Sequence, residues 1–139
     1  KDVIHLHGTL TDLRCEACSH IWNVAYTEQN EDETCPQCKS SLIRHNVVMF
    51  GEAVPAYAHI YEAIKRCKLL IAIGTSGQVI DIVPIASAFK HSILINPAKE
   101  KYFDSFDTYI DAYFEHFLQM KAGDAVEDMN KIIEEFMHV

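Results

Sequence analysis

The chain has 139 residues, 49% hydrophobic and 23% charged, with 20 acidic against 12 basic side chains and a formal net charge of −8. That length supports a single core burying about two-thirds of the unfolded surface, and the ordinary apolar fraction excludes a disordered polymer. No apolar run approaches the roughly 18 residues of a membrane span, and the acidic balance repels a nucleic-acid backbone, so neither membrane nor nucleic acid is expected as a partner.

Residues 3–7 (VIHLH) are β-prone, bounded by Gly8, and read as a strand. They follow Lys1 almost at once with no methionine ahead, which is how a fragment begins. Residues 10–46 then carry two close cysteine pairs, Cys15-Glu-Ala-Cys18 and Cys35-Pro-Gln-Cys38, sixteen residues apart. Two residues between cysteines let a tight turn present both sulfurs to one ion, and two such turns complete a tetrahedron. Four thiolates suit zinc and leave no open coordination position, so the expected role is structural. Disulfides, a redox pair and an iron site of the same geometry are the alternatives. The odd cysteine count, the tight pairing and the lack of a signal sequence in the chain argue against a secreted disulfide framework, and a cytoplasmic protein is expected. Glu28, Glu31, Asp32 and Glu33 make this module a poor nucleic-acid reader. Ile21, Trp22 and Tyr26 are its expected small core, with metal binding supplying the remaining stability.

The apolar run Val47-Val48-Met49-Phe50 is broken by Gly51. Pro55 suits a first helical turn, and Tyr57, Ile60, Tyr61 and Ile64 follow at helical spacing, which predicts a helix over 55–67. Cys67, near its end, reads as a buried and inert thiol. Leu69-Leu70-Ile71-Ala72-Ile73 has the continuous apolarity of a strand covered on both faces. Gly74-Thr75-Ser76-Gly77 is the turn after it, residues 80–89 read as a helix despite Pro84, and residues 92–95 as another buried strand closed by Asn96-Pro97. A last short strand is expected at 109–114. Residues 125–137 close the chain as an amphipathic helix, with Val126, Met129, Ile132, Ile133 and Phe136 inward. Alternating strands and helices predict a parallel sheet, whose ligands collect at the carboxyl ends of the strands.

Four short patterns fall in a definite order: His5-Leu6-His7-Gly8-Thr9, the cysteine pairs, Val47-Val48-Met49-Phe50-Gly51-Glu52, and Ile73-Gly74-Thr75-Ser76-Gly77-Gln78-Val79. Together they resemble the sirtuins, NAD-dependent protein-lysine deacylases, over essentially the whole chain. The resemblance implies an α/β fold: a partial Rossmann-like parallel sheet with helices, plus a small four-cysteine zinc-ribbon module. Residues 1–9 and 47–139 would belong to the NAD-binding domain and residues 10–46 to the zinc module. Structural Zn2+ on Cys15, Cys18, Cys35 and Cys38 and NAD+ as co-substrate are the implied cofactors, and acylated-lysine proteins the implied substrates.

The resemblance also assigns roles. His7 is the implied general base: the acyl-lysine oxygen attacks the ribose carbon bearing nicotinamide, and the histidine then takes a ribose hydroxyl proton on the way to O-acyl-ADP-ribose and deacylated lysine. An imidazole suits this because its pKa lies near operating pH. Val48 and Phe50 line the implied acyl-lysine tunnel, Gly51 and Glu52 pair with the substrate backbone as an added strand, and Val79 approaches from the other side. Gly74, Thr75 and Ser76 would face the cofactor's ribose and phosphates, Asn96 its adenosine ribose, and Lys121 and Ala122 its adenine. His5, two residues from His7, leaves a His-x-His metal pair as the rival reading of that segment.

Some features depart from the family pattern. The family's Gly-Ala-Gly-x-Ser phosphate loop does not occur here, and no Gln-Asn-x-Asp segment stands ahead of His7; the string Gln29-Asn30-Glu31-Asp32 lies between the cysteine pairs instead. The sequence therefore resembles the C-terminal part of a sirtuin, expected to bind zinc but to be inactive alone, with an exposed sheet edge open to self-association. Arg44-His45-Asn46 lacks the usual proline, and Ile80-Asp81 precede a late Pro84, which leaves the zinc-module exit and the start of the next helix open. A non-catalytic zinc-ribbon scaffold is the alternative function.

Overall fold

The computed structural model describes residues 3–27, 32–54, 56–103 and 107–138. The chain divides into two compact units, residues 1–65 and 66–139.

The first unit is a three-stranded antiparallel sheet ordered β2-β1-β3, from β1 (Gly8–Cys15), β2 (Ile21–Asn23) and β3 (Ile43–Val47), followed by α1 (Tyr57–Ile64). Gly8 starts β1 opposite Val47 at a φ of +79°. A Cβ there would lie 1.8 Å from the Asn46 carbonyl oxygen, so only glycine allows the two strands to close. The register then slips between Thr9, opposite Asn46, and Leu13, opposite His45. Residues 10–12 bulge from the β3 side, and Asp12 pairs instead with Asn23 of β2.

Three expectations change in this unit. Residues 3–7 form no strand; they find no ladder partner among the described residues, and Val3 stays 71% exposed. The buried centre of the cysteine module is Leu13 with Cys15 and Cys35, while Ile21 and Tyr26 are exposed and Trp22 is half-buried against His20. In so small a module the metal-binding turns occupy the interior, and the aromatic residues are left on its outside. The helix is shorter than 55–67, with Tyr57, Ile60 and Ile64 half-buried and Tyr61 exposed; Pro55 lies outside the described residues. Cys67 follows the helix and is exposed, not buried.

The second unit is a parallel sheet ordered β4-β5-β6, from β4 (Leu69–Ile73), β5 (His91–Ile95) and β6 (His116–Leu118). Side chains alternate between its two faces. Leu70, Ala72 and Leu94 pack with α2 (Ile82–Ser87) and the short 3-10 helix Ile110–Tyr113. Leu69, Ile71, Ile93 and Ile95 pack with Ala125 and with Met129, Ile132 and Ile133 of α3 (Val126–Met137). Coverage of both faces explains the unbroken apolar runs of β4 and β5. The fold is thus α/β, with the helices on a parallel sheet as expected.

The strand expected at 109–114 is instead that 3-10 turn: Ile110 and Phe114 drop into the core four residues apart, at helical spacing, and the third strand comes afterwards as β6. Asp81 resolves the start of α2, because its side chain accepts the Val83 amide at 3.2 Å as an N-cap. Pro84 sits in the first turn, where a missing N–H leaves no bond unmade. In α3 the inward place expected for Val126 is taken by Ala125, fully buried at the helix entrance, and Val126 is 49% exposed.

Candidate functional site

Two turns built alike form the metal centre. In the first, Ser19 N donates to Cys15 O and Cys15 N to His20 O, both at 2.9 Å. In the second, Lys39 N donates to Cys35 O and Cys35 N to Ser40 O, again both at 2.9 Å. Ser19 and Lys39 reverse the chain at φ of 61° and 62°. Each turn thereby aims two sulfurs the same way. Cys15 Sγ lies 3.5 Å from Cys38 Sγ, Cys18 Sγ lies 3.6 Å from Cys35 Sγ, and all four fall within 4.8 Å of one another. Tetrahedral zinc with bonds of about 2.3 Å holds its sulfurs about 3.8 Å apart, so the donor set fits. All five cysteines are free of disulfides.

The electrostatics of the cluster agree. Burial opposes the Cys35 thiolate, but the amides of Cys38 and Gln37 and the neighbouring thiols hold its pKa down to about 7. At Cys18 the His20 backbone favours the thiolate, yet burial and the surrounding sulfurs push it up to about 12. Four sulfurs so close cannot all ionise without a cation among them. Among the described residues this is the one group of three or more ligating side chains close enough to share an ion, and His5 and His7 belong to none.

His7 is exposed and stands in the turn leading into β1; its carbonyl accepts the Val48 amide at 3.0 Å. That bond extends the β1–β3 ladder by one step and sets the histidine beside the start of the 47–52 loop. The loop is closed from both ends. Glu52 N donates to Met49 O at 3.0 Å, and Met49 N donates to Glu52 Oε2 at 3.0 Å. Gly51 takes a φ of 83° within this turn, Val48 is half-buried, and Phe50 is fully exposed.

Arg44, singled out in the sequence only for its missing proline neighbour, organises the loop. Its Nη2 meets Glu52 Oε1 at 2.5 Å, its Nη1 donates to Val47 O at 2.8 Å, and its Nε donates to Glu16 Oε1 at 2.7 Å. The Met49 amide and the Arg44 guanidinium hold the Glu52 carboxyl below the usual range; Arg44 and then Arg14 do the same for Glu16. Long-range pairing of this kind leaves no local spacing to read.

In the second unit Ile73, Ile95 and Leu118 stand in register, so the residues that follow them leave from one edge of the sheet. There Gly74 N donates to Ile95 O at 3.0 Å, and Asn96 Nδ2 donates to Thr75 O at 2.5 Å. Thr75 Oγ1 accepts the Gly77 amide at 3.1 Å and Ser76 Oγ the Gln78 amide at 3.4 Å. Lys121 and Ala122 are exposed in the turn after β6, where Lys121 O accepts the Ala125 amide. Gly74, Thr75, Ser76 and Asn96 thus come together, with Lys121 and Ala122 on the same edge; Val79 is 82% exposed beyond them.

Known proteins resemble this chain in sequence and in fold. The sequence model of the Sir2 family matches residues 1–81. An NAD-dependent protein deacylase of Campylobacter jejuni is 42% identical over 137 residues, covering 99% of this chain and 55% of that protein. One from Helicobacter hepaticus is 36% identical over 88 residues, covering 61% of this chain and 34% of that protein. A Sir2 homologue mutant solved with ADP-ribose superposes with a TM-score of 0.76 at 25% identity, over 100% of this chain and 55% of the other. A Sir2 homologue–NAD complex gives 0.73 at 27% identity, over 97% and 51%. The chain spans about half the length of the Campylobacter jejuni deacylase and of the two solved Sir2 homologues. With the family match over more than half its residues, the chain belongs to the Sir2 family.

Proposed function

We propose that this chain carries the general base, the substrate loop, part of the NAD+ site and the structural zinc module of an NAD-dependent protein-lysine deacylase. The observation that supports it most is the bond from Val48 N to His7 O, which sets the base beside the loop meant to hold the acyl-lysine backbone. His7 accepts the ribose hydroxyl proton after nicotinamide departs, and the acyl group passes to ADP-ribose. Val48 and Phe50 flank the acyl chain, and Val79 is a further substrate-binding residue. Gly51 and Glu52 offer backbone groups for strand addition, which reads many protein sequences with little side-chain demand.

Gly74, Thr75, Ser76 and Asn96 face the ribose and phosphates, with Lys121 and Ala122 at the adenine. Their place at the carboxyl edge of a parallel sheet supports this. Zinc holds its module together and has no open position for chemistry. Residues 10–46 serve as that module, with 1–9 and 47–139 as part of the NAD-binding domain. Cysteines kept for a metal are the usage of a reducing compartment, which supports a cytoplasmic location. No helix among the described residues is long and apolar enough to cross a membrane, and the net charge of −8 disfavours nucleic acid.

The test is a chimera in which this chain replaces the matching segment of the Campylobacter jejuni deacylase. NAD-dependent deacylation of an acetylated peptide, lost in His7→Ala, is the expected result. A folded, zinc-loaded chimera without activity favours a scaffold module.

A further inference from the structure

Arg44 is the only described side chain bonded at once to the metal-binding turn, the exit of β3 and the substrate loop: to Glu16, between the ligands Cys15 and Cys18, to Val47 O and to Glu52. Glu52 in turn holds the Met49 amide, and the adjacent Val48 amide is fixed to the His7 carbonyl. We propose that Arg44 is a positioning residue that transmits the geometry of the Cys15–Cys18 turn to the 48–52 loop. In the charge-assisted chain from Glu16 through Arg44 to Glu52, one planar guanidinium spends each donor edge on a different segment. A lysine could reach one of the three acceptors but not fork between them. Arg14, with Nη2 at 3.2 Å from Glu16 Oε1 and 3.8 Å from Glu52 Oε1, runs beside this chain as a longer second link.

The functional consequence rests on the proposed substrate role of this loop, but the coupling itself does not, and its test reads no deacylation. The experiment is residue-resolved amide exchange on the full chain loaded with Zn2+, with Co2+ substitution reporting the four-thiolate site through its absorption spectrum. Arg44→Met is expected to speed exchange at the Met49 and Glu52 amides by about tenfold or more, as for loss of a charge-assisted bond. Glu16→Ala removes a half-exposed side chain that touches neither amide. It is expected to speed the same two amides by about threefold, leaving the cobalt spectrum and the Leu13 and Cys15 amides unchanged. In the Arg44→Met background Glu16→Ala should add nothing further. Three results would overturn the proposal: no change at Met49 and Glu52 in Glu16→Ala, an undiminished Glu16→Ala effect without Arg44, or a rise shared equally by Leu13 and Cys15. The first or second shows the turn and loop to be independent or linked through Arg14; the third shows general destabilisation. A failed deacylation assay would leave this outcome untouched.

Discussion

Asn96 Nδ2 donates to the Thr75 carbonyl at 2.5 Å, and Asn96 itself is 3% exposed. One side chain at the end of β5 therefore fixes the turn after β4, where Gly74, Thr75 and Ser76 are set. Asn96→Ala leaves that carbonyl without its partner and should lower unfolding stability by about 1–3 kcal/mol. Urea unfolding checks the number, and titration with ADP-ribose should show weaker binding in the same variant.

Gly8 should tolerate no side chain. Alanine at a φ of +79° is strained, and its methyl would meet the Asn46 carbonyl, which is backbone and cannot swing away. Gly8→Ala is expected to cost more than about 2 kcal/mol, the left-handed penalty plus a strand shift. Thermal unfolding of the zinc-loaded protein measures it. A neutral outcome contradicts the close β1–β3 approach that places His7.

Removing the metal should dismantle the first unit. Among the described residues Cys15 and Cys35 are two of its three buried apolar side chains, so the zinc turns are much of its core. Cys35→Ser, or a strong chelator, is expected to abolish the Co2+ thiolate bands and amide protection along β1 and β3. Protection in β4 and β5 of the second unit should persist.

Acid should loosen the 48–52 loop in a definite direction. The folded Glu52 carboxyl is held below its ordinary value of 4.5, first by the Met49 amide and then by Arg44. A depressed carboxylate adds stability that is fully present above the unfolded value and lost as pH falls through the folded one. The Met49 amide resonance should hold constant from neutral pH to about 4.5 and shift only below it, following the direction of that depression. Glu52→Gln should abolish the titration. A midpoint above 4.5 would contradict the pairing.

Much of this was legible in the sequence for identifiable reasons. Leu69–Ile73 matches β4 residue for residue, because burial on both faces leaves an unbroken apolar run. The cysteine spacing announced the paired turns, since each turn is a local object. What escaped depended on distant partners. Residues 3–7 are β-prone locally but find no ladder partner among the described residues, and Ile110 and Phe114 suit a strand or a helical turn until the neighbouring core decides between them. Tyr26 looked like core from its ring alone and is 96% exposed. Arg44 makes bonds 28 and 8 residues away, to Glu16 and Glu52, beyond any spacing rule.

The apolar β4 edge bears on assembly. Among the described residues β4 ladders only with β5, and Ile73 is 53% exposed. Such an edge favours pairing with a second strand, so light scattering should show concentration-dependent self-association. Ile73→Lys should suppress it; a monomer at high concentration sinks the idea.

The central claim, that this chain brings a working base and substrate loop, is tested most directly by deacylation in the chimera with the Campylobacter jejuni segment. The isolated chain, whose sequence contains no Gly-Ala-Gly-x-Ser and no Gln-Asn-x-Asp ahead of His7, should release no nicotinamide from NAD+ and acetylated peptide. The chimera should form O-acyl-ADP-ribose, and His7→Ala should reduce its rate by about 100-fold or more with zinc content unchanged. Full activity in the His7→Ala chimera, or turnover by the isolated chain, would contradict the account.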